Sequence, residues 1–462
     1  MSVIRDKARR IYDYISGELY FNLPDMEVKG EKYNSALLLS VFTGLNEGKA
    51  LLIGEPGLGK TTSAEYVASL FYRLPLDVVM GSEVSGHPEQ TEEKMVGGPD
   101  LGELNKGNVR VIWSDFTQLP IKIVDEINRL PEQKQNIILN GVDRGVWHYL
   151  DEVLINNEHS LFATANYQDR GTNTITRPLR DRFDIMVESK HPGATLATMV
   201  TKKKDAHLKN EPIARKMWAS LKEMEKDYSA RLDGLEKLSD EYSDYLKSNG
   251  IEAFSKNERV LARDEINSLE FDEDAETLVR CMISELSFGC SHGQKRSNEA
   301  CSEGDKCRYV NYLPHQIINC ASNRLPKSIY KYSKTLAWFL GDDEVTAEHV
   351  KLAAPYALAP RFEWKDSYVS KHEKDERNDS IHIHLAKRAV EEVATRYEEQ
   401  AHEIKQAMVA ARKFIETNGD EVEIDTQDKA KKTLKFDDFI KNLDEQNHPI
   451  YVDIKNNVKA FR

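Results

Sequence analysis

The chain has 462 residues, of which 40% are hydrophobic and 31% are charged. This length is typical of roughly two to four domains, and the composition is that of a globular protein in water. The formal net charge of -13 disfavours a surface that wraps duplex DNA, although it permits a local basic groove. No segment approaches the roughly 20 apolar residues that cross a bilayer, and the first residues lack a signal-peptide core. We therefore expect a cytoplasmic protein without a membrane partner.

A glycine-rich loop lies between an apolar segment, residues 50–53, and a helix-periodic segment, residues 62–72. The residues expected to bind nucleotide phosphates are Gly54, Glu55, Pro56, Gly57, Leu58, Gly59, Lys60, Thr61 and Thr62. Glycines let backbone N–H groups surround phosphate oxygens, Lys60 reaches the outer phosphates, and the Thr61 hydroxyl binds Mg²⁺. A chance glycine turn is the alternative, and the complete pattern between a predicted strand and a predicted helix disfavours it.

A second apolar segment, residues 121–124, ends in the carboxylates Asp125 and Glu126. Asp125 is expected to hold Mg²⁺ through its water shell, and Glu126 to polarise a water molecule for attack on the γ-phosphate. A plain strand end before a solvated turn has the same composition, but a complete phosphate loop upstream favours catalysis. The pair also favours ATP hydrolysis over phosphoryl transfer to a substrate.

A third predicted strand, residues 160–165, ends at Asn166, and the arginine-rich segment 176–184 follows it. Asn166 is placed to orient the attacking water, because open α/β sheets put their ligands at this edge. An arginine of the following segment is a candidate to stabilise charge at the γ-phosphate of a neighbouring subunit. Singly, a strand-end cap and a surface ion pair explain these residues equally well. Their order after the phosphate loop favours the functional interpretation.

Together, these segments resemble a MoxR-type AAA+ ATPase. The resemblance rests on residues 125–131, 163–166 and 181–183, and it covers about residues 30–190 and, more weakly, 259–361. It implies an α/β fold: an AAA+ αβα P-loop NTPase core with a helical lid, a helical insertion and a C-terminal extension. We place the core at residues 1–192, a coiled-coil-like insertion at 193–258, the lid with a cysteine cluster at 259–361, and a charged extension at 362–462.

The resemblance also implies roles for single residues. Asn166 corresponds to the sensor-1 residue, and Arg182 is the best candidate for an arginine finger, with Arg180 as its rival. Arg324, before an apolar helix, corresponds to the sensor-2 residue that contacts the γ-phosphate of its own subunit. Thr346 is expected to cap the following lid helix.

Two stretches of the core depart from the family pattern. Residues 101–120 lengthen the segment before Asp125, so we expect a remodelled loop facing the pore of the ring. Residues 145–166 predict a hairpin with its turn near residues 156–158. Its aromatic residues Trp147 and Tyr149 are more typical of cross-strand packing than of a grip on a substrate.

Outside the core, apolar residues spaced three or four apart predict helices over residues 213–245 and 390–415. Each helix would lie on the ATPase core or, alternatively, the two would pair with each other or with a partner. Residues 421–424 and 450–454 alternate like strands, and no function is assigned to them.

Five cysteines are too few for a disulfide framework in a chain of this length, and an odd number cannot all be paired. Four of them lie together in a polar stretch of the lid: Cys290, Cys301, Cys307 and Cys320. A polar loop without apolar content is typical of a metal-stapled segment, so we predict a structural zinc site formed by these four cysteines, with His292 or His315 as an alternative to one of them. An iron–sulfur cluster and unliganded thiols are the alternatives. Cys281 is expected to be a buried apolar side chain.

The resemblance implies an ATP-hydrolysing, Mg²⁺-dependent homo-oligomer that is a hexamer in the family's manner. It would act as a chaperone-like remodelling or assembly factor for a protein client, such as a von Willebrand factor A-domain protein. The alternative is a nucleic-acid translocase or helicase-like motor, which the acidic composition disfavours despite a small basic run at residues 202–204. A nucleotide-gated scaffold with slow hydrolysis is a third alternative, against which Glu126 argues.

Overall fold

The computed structural model describes residues 2–156, 159–167, 174–223, 228–289, 295–299, 301, 303–425 and 431–462. The chain forms two compact units. The first comprises Met1–Leu269 and Trp338–Asp343, and the second comprises Glu270–Ala337 and Glu344–Arg462. The four-part division made from the sequence stays a prediction.

The first unit alternates short strands with helices. Its helices are α1 (Val3–Tyr14), α2 (Ser35–Leu45), α3 (Lys60–Phe71), α4 (Leu76–Ser82), α5 (Glu92–Met95), α6 (Leu101–Leu104), α7 (Asp115–Gln118), α8 (Glu132–Arg144), α9 (Arg177–Arg180), α10 (Gly193–Met199), α11 (Glu211–Leu221), α12 (Tyr228–Ser248) and α13 (Lys256–Ser268). Its strands are β1 (Met26–Val28), β2 (Glu31–Tyr33), β3 (Lys49–Ile53), β4 (Val84–Ser85), β5 (Gly97–Pro99), β6 (Val111–Trp113), β7 (Ile121–Asp125), β8 (Val146–Tyr149), β9 (Glu152–Ile155), β10 (Ser160–Ala165) and β11 (Ile185–Glu188).

Five parallel strands form the central sheet of this unit, in the order β11, β3, β10, β7, β4. Every residue of β10 is buried, as expected for a central strand of a parallel sheet that helices cover. Ala165 lies beside Ile53, and Ala163 lies beside Val124. The carboxyl ends of β3, β7 and β10 therefore meet at one edge of the sheet, where open α/β folds bind their ligands.

Two antiparallel hairpins precede strands of this sheet. In the first, β5 pairs with β6, so the long segment before Asp125 is an ordered hairpin with α6 in its connection. In the second, β8 pairs with β9, and Tyr149 lies opposite Glu152. The hairpin turn therefore lies at residues 150–151 and not at Asn156, while residues 157 and 158 of the predicted turn lie outside the described residues. The chain reverses at Leu150, which has a left-handed φ of 49° without the glycine that usually marks such a turn.

The predicted helix over residues 213–245 is a pair of helices, α11 and α12, that pack on each other. The side chain of Asn210 caps α11, and Pro212 lies in its first turn. α11 also contacts α4 and α7, so this stripe lies on the ATPase core, which is the simpler of the two interpretations.

The second unit is mostly helical. Its helices are α14 (Glu273–Ser287), α15 (Arg324–Leu340, grouped with the first unit from Trp338), α16 (Ala347–Leu358), α17 (Asp366–His372), α18 (Ile381–Thr417), α19 (Phe436–Glu445) and α20 (Pro449–Phe461). Its strands are β12 (Glu270–Phe271), β13 (Glu344–Val345), β14 (Glu421–Asp425) and β15 (Lys431–Lys435). α18 contains the second predicted stripe and contacts α14, α16 and α20. Thr346 is the N-cap of α16, as predicted.

The strand predicted from residue 421 is confirmed, whereas the strand predicted for residues 450–454 is wrong. These residues lie in α20, in which Ile450, Ile454 and Val458 recur every fourth position and are buried. The side chain of His448 caps this helix, and Pro449 occupies its first turn. Over five residues, apolar side chains at the first and last positions fit both a buried helical face and an alternating strand. The short pattern therefore could not distinguish a helix from a strand.

Candidate functional site

The glycine-rich loop connects the end of β3 to the start of α3. Gly54, Gly57 and Gly59 have φ values of 144°, 79° and 76°, which other residues adopt with strain. A Cβ atom at Gly54 would lie 2.5 Å from the carbonyl oxygen of Ser189. Because α3 begins at Lys60, the free backbone N–H groups of its first turn lie at the loop, where they attract anions.

Lys60 is buried at the centre of the loop. Its ammonium group donates hydrogen bonds to the carbonyl oxygens of Gly54 (2.9 Å) and Glu55 (2.7 Å) and to the side-chain oxygen of Asn166 (2.8 Å). The pKa of Lys60 is lowered from its ordinary value, because the effect of burial exceeds the opposing effect of the nearby carboxylates of Asp125 and Glu126. The loop thus contains one oriented cation that can bind an outer phosphate.

Thr61 and Asp125 place two oxygen ligands side by side. The Thr61 hydroxyl donates a hydrogen bond to Asp125 Oδ1 over 2.7 Å. The Thr164 hydroxyl donates to the same oxygen over 2.7 Å and accepts a hydrogen bond from the Glu126 backbone N–H over 2.8 Å. A hydroxyl and a carboxylate are ligands that suit Mg²⁺. The sequence analysis did not assign Thr164, whose only signal was a hydroxyl inside an apolar strand.

Glu126 is held from three sides. Its φ of 50° is left-handed, a conformation that costs about 1–3 kcal/mol for a residue other than glycine. Asn166 donates a side-chain hydrogen bond to Glu126 Oε1 over 2.5 Å, and Arg129 forms an ion pair with Oε2 at 2.9 Å. A Cβ atom at Gly86 would lie 2.0 Å from the Glu126 carbonyl oxygen. These contacts fix the orientation of the carboxylate, and Arg129 is a contributor that the sequence analysis missed.

Lys60, Thr61, Asp125, Glu126 and Asn166 line a cleft of about 340 Å³. Its other walls come from residues that no motif marks: Tyr20, Phe21, Asn22, Tyr66, Pro192, Val200 and Lys203. The Tyr20 hydroxyl hydrogen-bonds to the Ser189 hydroxyl (3.0 Å), which donates to the carbonyl oxygen of Leu58 (2.6 Å). A chain of hydrogen bonds thus connects the segment after α1 to the phosphate loop.

The candidate arginine fingers lie around α9. Arg182 donates a hydrogen bond to the Pro178 carbonyl oxygen over 2.8 Å and forms an ion pair with Asp143 at 3.4 Å. Neither Arg180 nor Arg182 is among the described residues that line the cleft of their own chain. Arg324, the predicted sensor-2 residue, is the first residue of α15 in the second unit.

The structure brings only part of the cysteine cluster together. The ligand atoms of Cys301, Cys307 and His315 lie within 4.8 Å of one another. Cys320 is not in this group of described residues, and its thiol contacts the Ala321 carbonyl oxygen at 3.3 Å. Cys290 and His292 lie outside the described residues. Cys281 is fully buried in α14, as predicted, and burial raises the pKa of its thiol.

The loop, the carboxylate pair and the strand order define a P-loop NTPase with an AAA+ core, and the second unit supplies a helical lid region. Residues 49–183 match the family model described as an AAA domain of the dynein-related subfamily. Residues 318–381 match the model described as an AAA lid domain. The predicted fold class is therefore confirmed.

A solved structure described as a "putative ATPase" from Cytophaga hutchinsonii is similar to this chain. The TM-score is 0.56 at 17% sequence identity, over 85% of this chain and 94% of that chain. At this identity the likeness concerns the fold alone. No curated protein matches the sequence. Among the described helices, none has both the length and the apolar character that crossing a membrane requires.

Proposed function

We propose that this protein binds ATP with Mg²⁺ and hydrolyses it. The observation that carries the proposal is the joint placement of Thr61, Asp125, Glu126 and Asn166, because the hydroxyl and carboxylate suited to Mg²⁺ adjoin an oriented carboxylate base. Thr61 and Asp125 would hold the ion, which neutralises phosphate charge when bound. Lys60 binds the outer phosphates.

Glu126 acts as the general base in this proposal. Its carboxylate accepts the proton of the attacking water, while Asn166 positions that water through its side-chain amide. Both side chains end at the same sheet edge and are already in contact at 2.5 Å. The apolar and aromatic side chains of the opposite wall, Tyr20, Phe21, Pro192 and Val200, offer a surface for the nucleotide base.

The proposed assembly is a ring of identical subunits, hexameric as in MoxR-type proteins. Arg182 then stabilises transition-state charge at the neighbouring site, with Arg180 as the rival candidate. Their position outside the cleft of their own chain supports a role between subunits. Arg324 is proposed to sense the γ-phosphate from within the same subunit.

The proposed work of the ring is to remodel or assemble a protein client in a chaperone-like way. Both hairpins expose large apolar side chains, which are suited to contact with a protein: Leu101, Leu104, Val109, Ile112, Leu150, Val153 and Ile155. By the MoxR resemblance, a von Willebrand factor A-domain protein is the proposed client.

A nucleic-acid motor is less well supported. Two lysines of the basic run are engaged in ion pairs, Lys203 with Asp205 at 2.7 Å and Lys204 with Glu18 at 2.8 Å. Zinc binding by the cysteine-rich segment is a separate proposal, because it concerns a loop of the second unit. A cytoplasmic location stays a prediction from the sequence.

ATP turnover by the purified protein tests hydrolysis. The wild type is expected to require Mg²⁺, Lys60→Ala to lose ATP binding, and Glu126→Gln to bind ATP but turn it over at least about 100-fold more slowly. Glu132→Gln, which changes an exposed carboxylate at the start of α8, is the matched control and should resemble the wild type. Equal turnover by Glu126→Gln and the wild type would contradict the role of Glu126.

Affinity capture with Glu126→Gln from the native lysate tests the client. Glu126→Gln is expected to recover a specific protein. If the triple variant that adds Leu101→Ser and Ile155→Ser no longer recovers that protein, the result would support remodelling through the hairpins. Recovery of nuclease-sensitive material would support the motor instead. The two surface substitutions should leave basal ATP turnover intact, because they lie outside the cleft.

A further inference from the structure

The segment between α14 and α15 has little regular structure. Over its described residues, 288–289, 295–299, 301 and 303–323, it contains two short 3₁₀ turns, Gly304–Lys306 and Leu313–His315. Long connections without helices or strands are uncommon in compact domains. Because the hydrogen bonds of such a segment close separate turns and form no continuous helix or sheet, a further interaction is expected to hold the turns together.

A series of tight turns folds this segment back on itself. The N–H of Gly304 donates to the Cys301 carbonyl oxygen (3.1 Å), and the N–H of Cys307 donates to the Gly304 carbonyl oxygen (3.2 Å). Gly304 has a φ of 54°, which glycine tolerates best. The N–H of His315 donates to the Tyr312 carbonyl oxygen (3.0 Å) and closes a further turn. The backbone thereby brings two thiols and an imidazole from separate turns to one place.

We propose that Cys301, Cys307 and His315 bind a zinc ion. Zinc prefers sulfur and imidazole ligands in a tetrahedral arrangement, with bonds of about 2.3 Å to sulfur and about 2.0 Å to nitrogen. These bonds place neighbouring ligand atoms about 3.5–3.8 Å apart. The ligand atoms lie within 4.8 Å of one another, so shifts of about 1 Å in side-chain position complete the site. A water molecule or a further side chain would supply the fourth ligand.

Charge supports this ligand set. Cys307 is 3% exposed and packs with the rings of Phe288 and Tyr309, where an isolated thiolate would be costly. Two thiolates neutralise one Zn²⁺, so the metal and its ligands enter the apolar cluster without net charge. An iron–sulfur cluster fits less well, because such clusters are usually held by four cysteines and this group contains two.

A second group of metal-binding side chains fits zinc less well. In it, Asp375 Oδ2 lies 2.8 Å from His372 Nδ1 and 3.3 Å from His384 Nε2. The guanidinium group of Arg388 lies 3.8 Å from the same oxygen and would repel a metal ion. Hydrogen bonds and the arginine already account for this arrangement, so the thiol-containing group is the better zinc site.

The zinc would stabilise contacts with the C-terminal helices. Cys301 and Val452 of α20 pack on the apolar cluster around Cys307, and the Arg308 side chain donates to the Asp444 carbonyl oxygen at the end of α19 over 3.2 Å. The proposed metal would thus stabilise a loop that contacts both α19 and α20. Chelation is expected to increase cleavage by proteases within this loop and within the C-terminal extension.

Zinc content of the full-length protein, measured by elemental analysis after exhaustive dialysis, tests the proposal. The wild type should retain about one zinc per chain, whereas Cys307→Ser and His315→Ala should retain at least about tenfold less. His315→Cys should retain zinc, because sulfur replaces nitrogen as a ligand. Cys320→Ser is the matched control, since the sequence alone predicts it to be a ligand, and it should retain zinc as well.

Three metal measurements would each overturn the proposal: a wild type that stays zinc-free after incubation with Zn²⁺, loss of zinc in Cys320→Ser with retention in His315→Ala, or loss in His372→Ala alone. A disulfide between Cys301 and Cys307 in freshly prepared protein would also overturn it. If Cys307→Ser fails to fold, titration of the metal-free wild type with Co²⁺ gives a second readout, because thiolate ligands produce intense charge-transfer absorption. None of these measurements depends on ATP hydrolysis.

Discussion

Asn166 donates a hydrogen bond to the carboxylate of Glu126 over 2.5 Å and accepts one from the ammonium group of Lys60 over 2.8 Å. One amide side chain therefore connects the proposed general base to the proposed phosphate-binding cation. Phosphate oxygens compete with the Asn166 oxygen for Lys60. We expect nucleotide binding to change the hydrogen bonding of Asn166, and through it the orientation of Glu126.

Asn166→Ala should lower kcat by at least about tenfold and change the Kd for ATP by less than about threefold. The substitution removes an orienting contact to Glu126, whereas Lys60 keeps its backbone partners at Gly54 and Glu55. Single-turnover kinetics and nucleotide titration separate the two effects. Asn105→Ala, at an exposed position, serves as the control. A normal kcat in Asn166→Ala would refute the positioning role.

Mixing subunits identifies the arginine finger. Arg182→Ala subunits keep their own nucleotide site, and Lys60→Ala subunits keep their arginines. If Arg182 acts on the neighbouring site, each variant alone should be nearly inactive, and mixed rings should recover part of the wild-type turnover. The same mixture made with Arg180→Ala tests the rival. Failure of both mixtures to recover turnover, with oligomers intact, would argue against a finger in this segment.

The pKa of Glu83 is raised to about 9, chiefly by burial and also by the neighbouring carboxylates of Glu65 and Asp125. Glu83 therefore stays protonated in the folded protein at pH values at which it is ionised in the unfolded chain. The folded state holds more protons between the ordinary pKa of 4.5 and about 9, so the contribution of Glu83 to stability falls as pH rises through this window.

Glu83→Gln should remove this pH dependence. Its Tm should rise relative to the wild type between pH 5 and pH 8.5, because glutamine stays neutral throughout. Thermal unfolding at several pH values measures the difference, with the exposed Glu89→Gln as the control. A Tm difference that does not change with pH would show that Glu83 ionises normally.

Gly141→Ala should destabilise the first unit although alanine is the better helix former. An added Cβ would lie 2.4 Å from the ring of Trp147, which is 2% exposed and packs edge-on against Phe116. We expect a loss of about 1–3 kcal/mol, against a gain of about 1 kcal/mol from helix propensity. Chemical denaturation measures the change. Gly17→Ala, with no atom within 4 Å of the added Cβ, should cost less.

The sequence predicted the glycine-rich half of the cleft, where phosphates are proposed to bind, because its determinants are local. Gly54 to Thr61 are contiguous, and Asp125, Glu126 and Asn166 each follow an apolar strand that the parallel sheet aligns. The opposite wall was not predicted, since Tyr20, Pro192 and Lys203 are brought together by tertiary packing. A short sequence motif cannot reveal that residues so far apart in the chain lie close together in the fold.

The remaining errors have similar physical causes. Leu150 adopts a left-handed turn conformation without glycine, so the hairpin turn was placed too late. Ile450 and Ile454 satisfy a helical and an alternating pattern alike, and only the cap at His448 separates the two. The cysteine cluster was recognised, but spacing could not show that His315, rather than Cys320, lies beside Cys301 and Cys307.

The hydrogen bonds from Tyr20 through Ser189 to Leu58 make the amino-terminal segment a wall of the nucleotide cleft. Proteolytic cleavage just before residue 20, or a bulky fusion at that point, should lower the affinity for nucleotide. Neither change alters a residue of the phosphate loop. Conversely, ATP should protect this stretch from digestion. Protease sensitivity around Tyr20 can therefore report on occupancy of the cleft without a label on the glycine-rich loop.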